Sequence, residues 1–324
     1  MIRGFMIKKY KTLFGPVPSR RFGRSLGVDL IPLKICSFDC IFCQLGRTTN
    51  KTMTRKAYVS SESVMDELND WLISDGYADY ITLSGSGEPT LHSDFGEILQ
   101  NIHLSTKIPS VLLTNGSLFY LPKVRKAACY ADVVKISLSA WDQIYFWHIN
   151  RPHQELNFEK IIEGMKLFRK DFDGRLWIEV FLIGGMNSIP ADVQRIAQLI
   201  QQIKPDQIHL NTAIRPPAED FVNALSQHEL SKLTSLFYPR ARVIPDCGIA
   251  SVHDFQVNEN GILALLQRRP CTAEQIGIAF GMHLNETVKY LGDLLKSGKI
   301  EAVNRNQSKY YMAVHDKLIH SMHS

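Results

Sequence analysis

The chain has no run of roughly 18 apolar residues, so no membrane-spanning helix is predicted. Its start, MIRGFMIKKYKTLFG, has no apolar core segment and no small-residue cleavage site, so no secretory leader is expected. Cysteine is scarce: there are six, and none precedes Cys36. Acidic residues are absent from the first 28 positions, whereas Arg3, Lys8, Lys9, Lys11, Arg20, Arg21 and Arg24 all precede Asp29. Residues 1–24 therefore read as a basic N-terminal arm, either a solvated tail or a contact surface for a polyanion. The net charge of +5 is too small to indicate nucleic acid by itself.

Half of the six cysteines fall within eight residues, in the stretch KICSFDCIFC, at Cys36, Cys40 and Cys43. Such an odd set at such short spans cannot all pair as disulfides. A zinc site takes four ligands, usually as two Cys-x₂-Cys pairs or with histidines at set spacings, and no complementary pair is present. The Cys-x₂-Cys-x₂-Cys-x₃-Cys-Pro pattern of a bacterial ferredoxin is also missing. Three thiolates on one loop suit an iron–sulfur cubane that leaves one iron open for another ligand. Thiols reserved for a metal centre point to a reducing, cytoplasmic setting.

Hydrophobic patterning predicts strands near residues 26–31, 80–84, 111–114, 133–138, 176–183 and 207–212, alternating with helices. About six βα units follow one another, short of the eight in a closed barrel. In the strand VVKISL, Val134, Ile136 and Leu138 share one face, while Lys135 and Ser137 share the other with the following Ser139. The helix-facing side of such a sheet must be apolar, so the polar side lines a lumen. The candidate substrate-side residues are Lys135, Glu179, His209 and Asn211, which could alternatively satisfy one another structurally. Strand two ends in SGSGEPT, where glycines let backbone approach a ligand closely, and strand three ends in Thr114-Asn115-Gly116.

The cysteine loop together with these strand ends resembles the radical S-adenosylmethionine superfamily. The resemblance implies a partial (β/α)6 barrel over residues 25–245, with one [4Fe–4S] cluster on Cys36, Cys40 and Cys43. It also implies that S-adenosylmethionine chelates the open iron. On that resemblance Phe42 lies by the adenine, Gly85, Ser86, Gly87, Glu88 and Pro89 surround the methionine amino group, and Thr114 and Asn115 lie near the cofactor. Ser137 would bond the ribose or carboxylate, and Gly184 would contact the adenine. Implied too are a flavodoxin or ferredoxin-like reductant and a 5′-deoxyadenosyl radical that abstracts hydrogen from the substrate.

Beyond Pro245 the βα rhythm stops, and three short helices followed by a hairpin are predicted, a winged-helix-like domain over residues 250–324. Its small core is expected to hold Ile262, Leu263, Leu266, Ile276, Phe280, Val288, Leu291, Leu294 and Leu295. This unit is predicted to fold independently and to select a partner, leaving the barrel able to cleave the cofactor alone. Residues 15–21 (GPVPSRR), 84–91 and 210–217 (LNTAIRPP) resemble the branch grouped with the wyosine-synthesis enzymes, which modify transfer RNA. A transfer RNA substrate is thus one expectation. A glycyl-radical activase acting on a protein and a non-enzymatic iron–sulfur regulator are the alternatives.

Overall fold

The computed structural model describes residues 10–74, 76–244, 259–305 and 308–314. Arg3, Lys8, Lys9, Cys247 and the boundary expected at Pro245 lie outside the described residues.

The main sheet has eight strands: Leu13–Ser19, Gly23–Val28, Tyr80–Leu83, Ser110–Thr114, Val133–Ser137, Arg175–Phe181, Gln207–Asn211 and Arg242–Val243. They neighbour one another in chain order. The first pair is antiparallel, and every later pairing is parallel. Sequential parallel strands with helical crossovers are the winding of a (β/α) barrel, and the six from Gly23–Val28 to Gln207–Asn211 supply the units expected. The sheet is an open α/β layer whose edges are the hairpin at one side and the short Arg242–Val243 strand at the other.

The alternation seen in the sequence sorts the two faces. Leu26, Val28, Ile81, Leu83, Val134, Ile136, Ile178 and Leu210 join one core with helix residues Val64, Leu68, Ile98, Met165, Phe168 and Ile196. The opposite face encloses a lumen, whose floor is closed by Phe22, Val111, Val133 and Trp177. Phe22 stacks on Trp177 at 5.1 Å between ring centroids.

From Thr12 onward the basic arm is not a tail. Thr12 donates to Glu67 through both its backbone and its hydroxyl, Leu13 is buried, and Leu13–Ser19 pairs with Gly23–Val28. The turn between these strands carries Arg20 and Arg21 into the lumen. The helix Gln143–Asn150, which the sequence did not single out, starts at Asp142, whose side chain accepts the Tyr145 N–H. It ends at Arg151 in the left-handed conformation.

The C-terminal part comprises helices Glu259–Leu266, Ala273–Phe280 and Leu284–Lys296 and the antiparallel hairpin Ile300–Arg305 with Ser308–Ala313. The capping box at Thr272 and Gln275 forms as the sequence pattern requires. Its core gathers Ile262, Leu266, Ile276, Phe280, Leu291 and Leu294, with Leu263 and Leu295 at its margin and Cys271 fully inside. Val288 departs from the expectation and is 50% exposed. Its position on Leu284–Lys296 lies off the stripe defined by Thr287, Leu291 and Leu294. This part is not a detached appendage. Arg268 sits over the Phe14 ring at 3.9 Å and pairs with Asp29 at 3.6 Å, and Tyr310 donates its hydroxyl to the Ile214 carbonyl. No helix among the described residues is long and apolar enough to cross a membrane.

Candidate cluster and cofactor site

The cysteine loop leaves the end of the Gly23–Val28 strand and is braced from both sides. Asp39 and Ile41 donate backbone N–H groups to the carbonyls of Asn150 and Ile149, at 3.1 and 3.0 Å. The Ser37 and Ser117 hydroxyls lie 2.7 Å apart in the interior. Two of the three sulfurs face amide donors: Asn115 Nδ2 lies 3.6 Å from Cys36 Sγ, and Asn150 Nδ2 lies 3.4 Å from Cys40 Sγ. Burial pushes the Cys36 thiol up to about 12 and the Cys40 and Cys43 thiols upward as well. Thiolates so placed need a cation to offset them, while the amide donors favour sulfur that carries negative charge. Lys34 Nζ is buried beside this loop with no hydrogen-bond partner among the described residues; burial draws its amine down, against the charge-favouring pull of Cys43, Asp39 and Cys36. The donor set fits an iron–sulfur cluster.

The strand-two turn lies against the same loop. A side chain on Gly87 would put its Cβ 1.9 Å from the Ile35 carbonyl oxygen, and one on Gly85, where φ is +144°, would strike the Asp29 carboxylate at 2.4 Å. Both positions must be glycine for the turn to close up to the loop, and both border the cavity. Phe42 stacks on Phe181 with centroids 4.1 Å apart and forms another wall. The cavity measures about 400 Å³ and takes a residue from each central strand: Ser25, Thr82, Leu113, Lys135, Glu179 and Asn211. That volume is in the range of small-molecule sites. Bare backbone beside the cysteines, an aromatic wall and a polar lumen are what a cluster-bound S-adenosylmethionine requires.

The remaining expected cofactor residues support the site from behind. Ser86 turns to Asp29, donating its backbone N–H at 3.0 Å and its hydroxyl at 2.6 Å. Glu88 is buried, accepting from Thr90, from the Thr114 hydroxyl and from the Asn115 backbone N–H. Pro89 opens a short 3₁₀ turn and is also buried. Ser137 pairs in register with Glu179, and Gly184 donates its N–H to the Asn223 carbonyl; neither is on the cavity wall.

Among the candidate substrate-side residues, Lys135, Glu179 and Asn211 come together. Lys135 Nζ and Arg21 Nη2 donate to opposite oxygens of Glu179, and Asn211 Nδ2 donates at 2.9 Å. Burial works against ionised Glu179, but Arg21 and Lys135 outweigh it and hold the carboxyl well below the usual range. His209 stands apart. Its ring meets Trp177 edge-on at 5.1 Å in the lumen floor, its Nε2 reaches only Gln207, and burial lowers it to about 4. The residues missed by pattern reading are Arg20, Arg21, Arg215, Arg268 and Arg269, all on the cavity wall. The Arg-Arg pair in a turn between two short apolar strands was the one available signal.

An open, sequentially wound parallel sheet with a three-cysteine loop at its mouth defines a class. The chain belongs to the radical SAM superfamily, whose family profile matches residues 30–217. That superfamily consists of enzymes that use a [4Fe–4S] cluster and S-adenosylmethionine. A UPF0026 protein of Methanocaldococcus jannaschii is 30% identical over 92% of this chain and 95% of its own length. A Brachyspira hyodysenteriae protein named GTPase Obg is 36% identical over 91% of this chain, which spans only 44% of that relative. Among solved structures, a radical SAM methyltransferase from Sphaerobacter thermophilus superposes with a TM-score of 0.53 over 69% of this chain and 67% of that one. At 16% identity it shares the fold alone.

Proposed function

We propose that the chain holds one [4Fe–4S] cluster on Cys36, Cys40 and Cys43, cleaves S-adenosylmethionine reductively, and removes hydrogen from a substrate held beside Lys135, Glu179 and Asn211. The observation that carries this reading is the meeting of the half-buried cysteine loop, through Phe42 and Cys43, and the side-chain-free Gly85 and Gly87 turn in one cavity. When bound, the cluster and cofactor supply one-electron reduction and a carbon radical, which no side chain here provides. The chain's own residues supply order. Asn115 and Asn150 direct amide N–H groups at sulfur, Glu88 fixes the two strand-end turns, and Phe42 with Phe181 offers a flat apolar wall. Burial draws the Lys135 amine down, while the facing Glu179 carboxylate favours its charged form.

The finer placement beside the wyosine branch, and hence a transfer RNA substrate, draws its support from the motifs at 15–21 and 210–217. The three helices and hairpin of the C-terminal part support a winged-helix-like unit, and the contacts at Phe14, Asp29 and Ile214 support a role in completing the site.

The test is anaerobic reconstitution followed by reduction with dithionite. About four iron atoms per chain and formation of 5′-deoxyadenosine are expected, and Cys→Ala at positions 36, 40 and 43 together should abolish both. Iron near eight atoms per chain, or a cluster that survives the triple substitution, overturns the single-cluster assignment.

A further inference from the structure

Two arginine-bearing stretches that the radical chemistry leaves unused, Ser19-Arg20-Arg21 and Ile214-Arg215, border the same cavity, and Arg268 and Arg269 join them from the C-terminal part. With Lys135, the lining among the described residues holds six cationic side chains against one carboxylate, Glu179. Glu179 is already engaged by Arg21, Lys135 and Asn211, and nearby Asp29 is taken by Arg268 and Ser86. Among the described residues no carboxylate forms an ion pair with Arg215 or Arg269. Among the described residues the Nε atoms of Arg215, Arg268 and Arg269 have no hydrogen-bond partner, while Arg215 Nη1 lies 3.5 Å from Gln44 Oε1 and Arg269 Nη2 donates to the Pro18 carbonyl at 3.2 Å.

Cations withdrawn from water together destabilise one another. Burial, then Arg215 and Arg21, push the Arg20 guanidinium down to about 9. Burial and then Arg269 push Arg215 down to about 10. An anion on this wall relieves the arrangement; S-adenosylmethionine, whose amino and carboxylate groups would chelate the open iron, brings a sulfonium and no further anion to it.

We propose that this wall binds a compact substrate through a phosphate monoester, held by Arg215 and Arg269. A phosphate monoester brings nearly two negative charges and three acceptor oxygens, which suits guanidinium forks arriving from two separate segments better than a lone carboxylate does. The cavity of about 400 Å³ must also admit the cofactor, which favours a small molecule over a polymer. The inference rests on the radical reading for what happens to the substrate, but its binding step is separable from it.

The experiment uses full-length, anaerobically reconstituted protein with S-adenosylmethionine present. It is titrated calorimetrically with inorganic phosphate, ribose 5-phosphate, ribose and an unmodified transfer RNA transcript. Both phosphate probes should bind saturably, one per chain, and ribose should not. Arg215→Gln and Arg269→Gln should each weaken ribose 5-phosphate by roughly tenfold or more, and Arg215→Lys by less. Iron content and S-adenosylmethionine binding are read on every sample, so failure of the cluster is seen apart from failure of the anion wall. Protein that holds both cofactors yet binds neither phosphate probe, or binds them equally well in both Gln variants, overturns the proposal. So does transfer RNA binding that the Gln variants weaken and the phosphate probes fail to displace.

Discussion

Glu88 Oε2 accepts the backbone N–H of Asn115 at 2.7 Å, and Asn115 Nδ2 in turn lies 3.6 Å from Cys36 Sγ. One buried carboxylate thereby joins the ends of two neighbouring strands to the first cysteine of the loop. Its oxygens are taken by protein donors, which makes Glu88 a positioning residue whose influence reaches the cofactor through backbone. Burial raises its carboxyl in spite of hydrogen bonds from Asn115, Thr114 and Thr90 that favour the ionised form.

Glu88→Gln keeps the shape but replaces an acceptor facing the Asn115 N–H with either a second donor or a lost bond to Thr114. The cost should be about 1–3 kcal/mol, the penalty for leaving a buried polar group unpaired. Denaturant unfolding of the cluster-free chain should show a lower midpoint, and reconstituted protein should retain less iron. A normal midpoint with weakened S-adenosylmethionine binding would instead make Glu88 a direct ligand.

The pair Lys135 and Glu179 gives a second prediction. Glu179→Gln leaves Lys135 and Arg21 buried without a counter-charge and should destabilise the fold by about 3–5 kcal/mol. Adding Lys135→Met should recover part of that loss. Glu179 is depressed on folding, so its contribution is complete above the unfolded value of about 4.3 and is lost progressively as pH falls below it. Unfolding free energies of the parent chain between about pH 3 and 6 should slope upward with pH more steeply than those of Glu179→Gln. Parallel curves would remove the ion pair from the stability account.

The parts of this architecture legible in the sequence were those encoded locally. Spacing alone marked the cysteine loop, and period-two alternation in Val133–Ser137 placed Lys135 in the lumen. Parity along a strand gives the face but not the depth, which is why His209 was grouped with Glu179 although it sits in the floor against Trp177. Arg21 meets Glu179 across 158 positions, and Arg269 reaches the Pro18 carbonyl across 251. No local pattern carries such pairings; they follow only once the sheet has curled. The strand Leu13–Ser19 was hidden for another reason, since Pro16 and Pro18 break the usual strand signal and are tolerated only because this strand is at an edge.

Two glycines give a contrasting pair. Gly87→Ala forces a methyl group to within 1.9 Å of the Ile35 carbonyl, so either the turn or the cluster loop must shift. A loss of about 1–3 kcal/mol and poor iron retention are expected. Gly292 lies inside the helix Leu284–Lys296 with nothing within 4 Å of an added Cβ. Gly292→Ala should stabilise by about 0.5–1 kcal/mol through helix propensity. Thermal midpoints moving in opposite directions would confirm both; a stabilised Gly87→Ala would show that the loop is not held as close as described.

The last prediction concerns whether the C-terminal part is separable from the barrel. Phe14 packs into the space left by Gly27, where a Cβ would lie 1.9 Å from the ring, and Arg268 sits over the ring at 3.9 Å. The same guanidinium pairs with Asp29, whose carboxylate accepts both the backbone N–H and the hydroxyl of Ser86. A continuous path thus runs from the C-terminal part through Asp29 to the turn bearing Gly85 and Gly87. Arg268→Ala removes a cation from a buried carboxyl that burial already pushes upward, which favours protonation of Asp29 and weakens its hold on Ser86. Affinity for S-adenosylmethionine should fall several-fold, the effect of about 1 kcal/mol, while iron content stays unchanged because no cysteine contact is touched. Calorimetry with the reconstituted variant checks the first and iron quantitation the second. Unchanged affinity would restore the separable module expected from the sequence, with the cofactor turn indifferent to what covers Phe14.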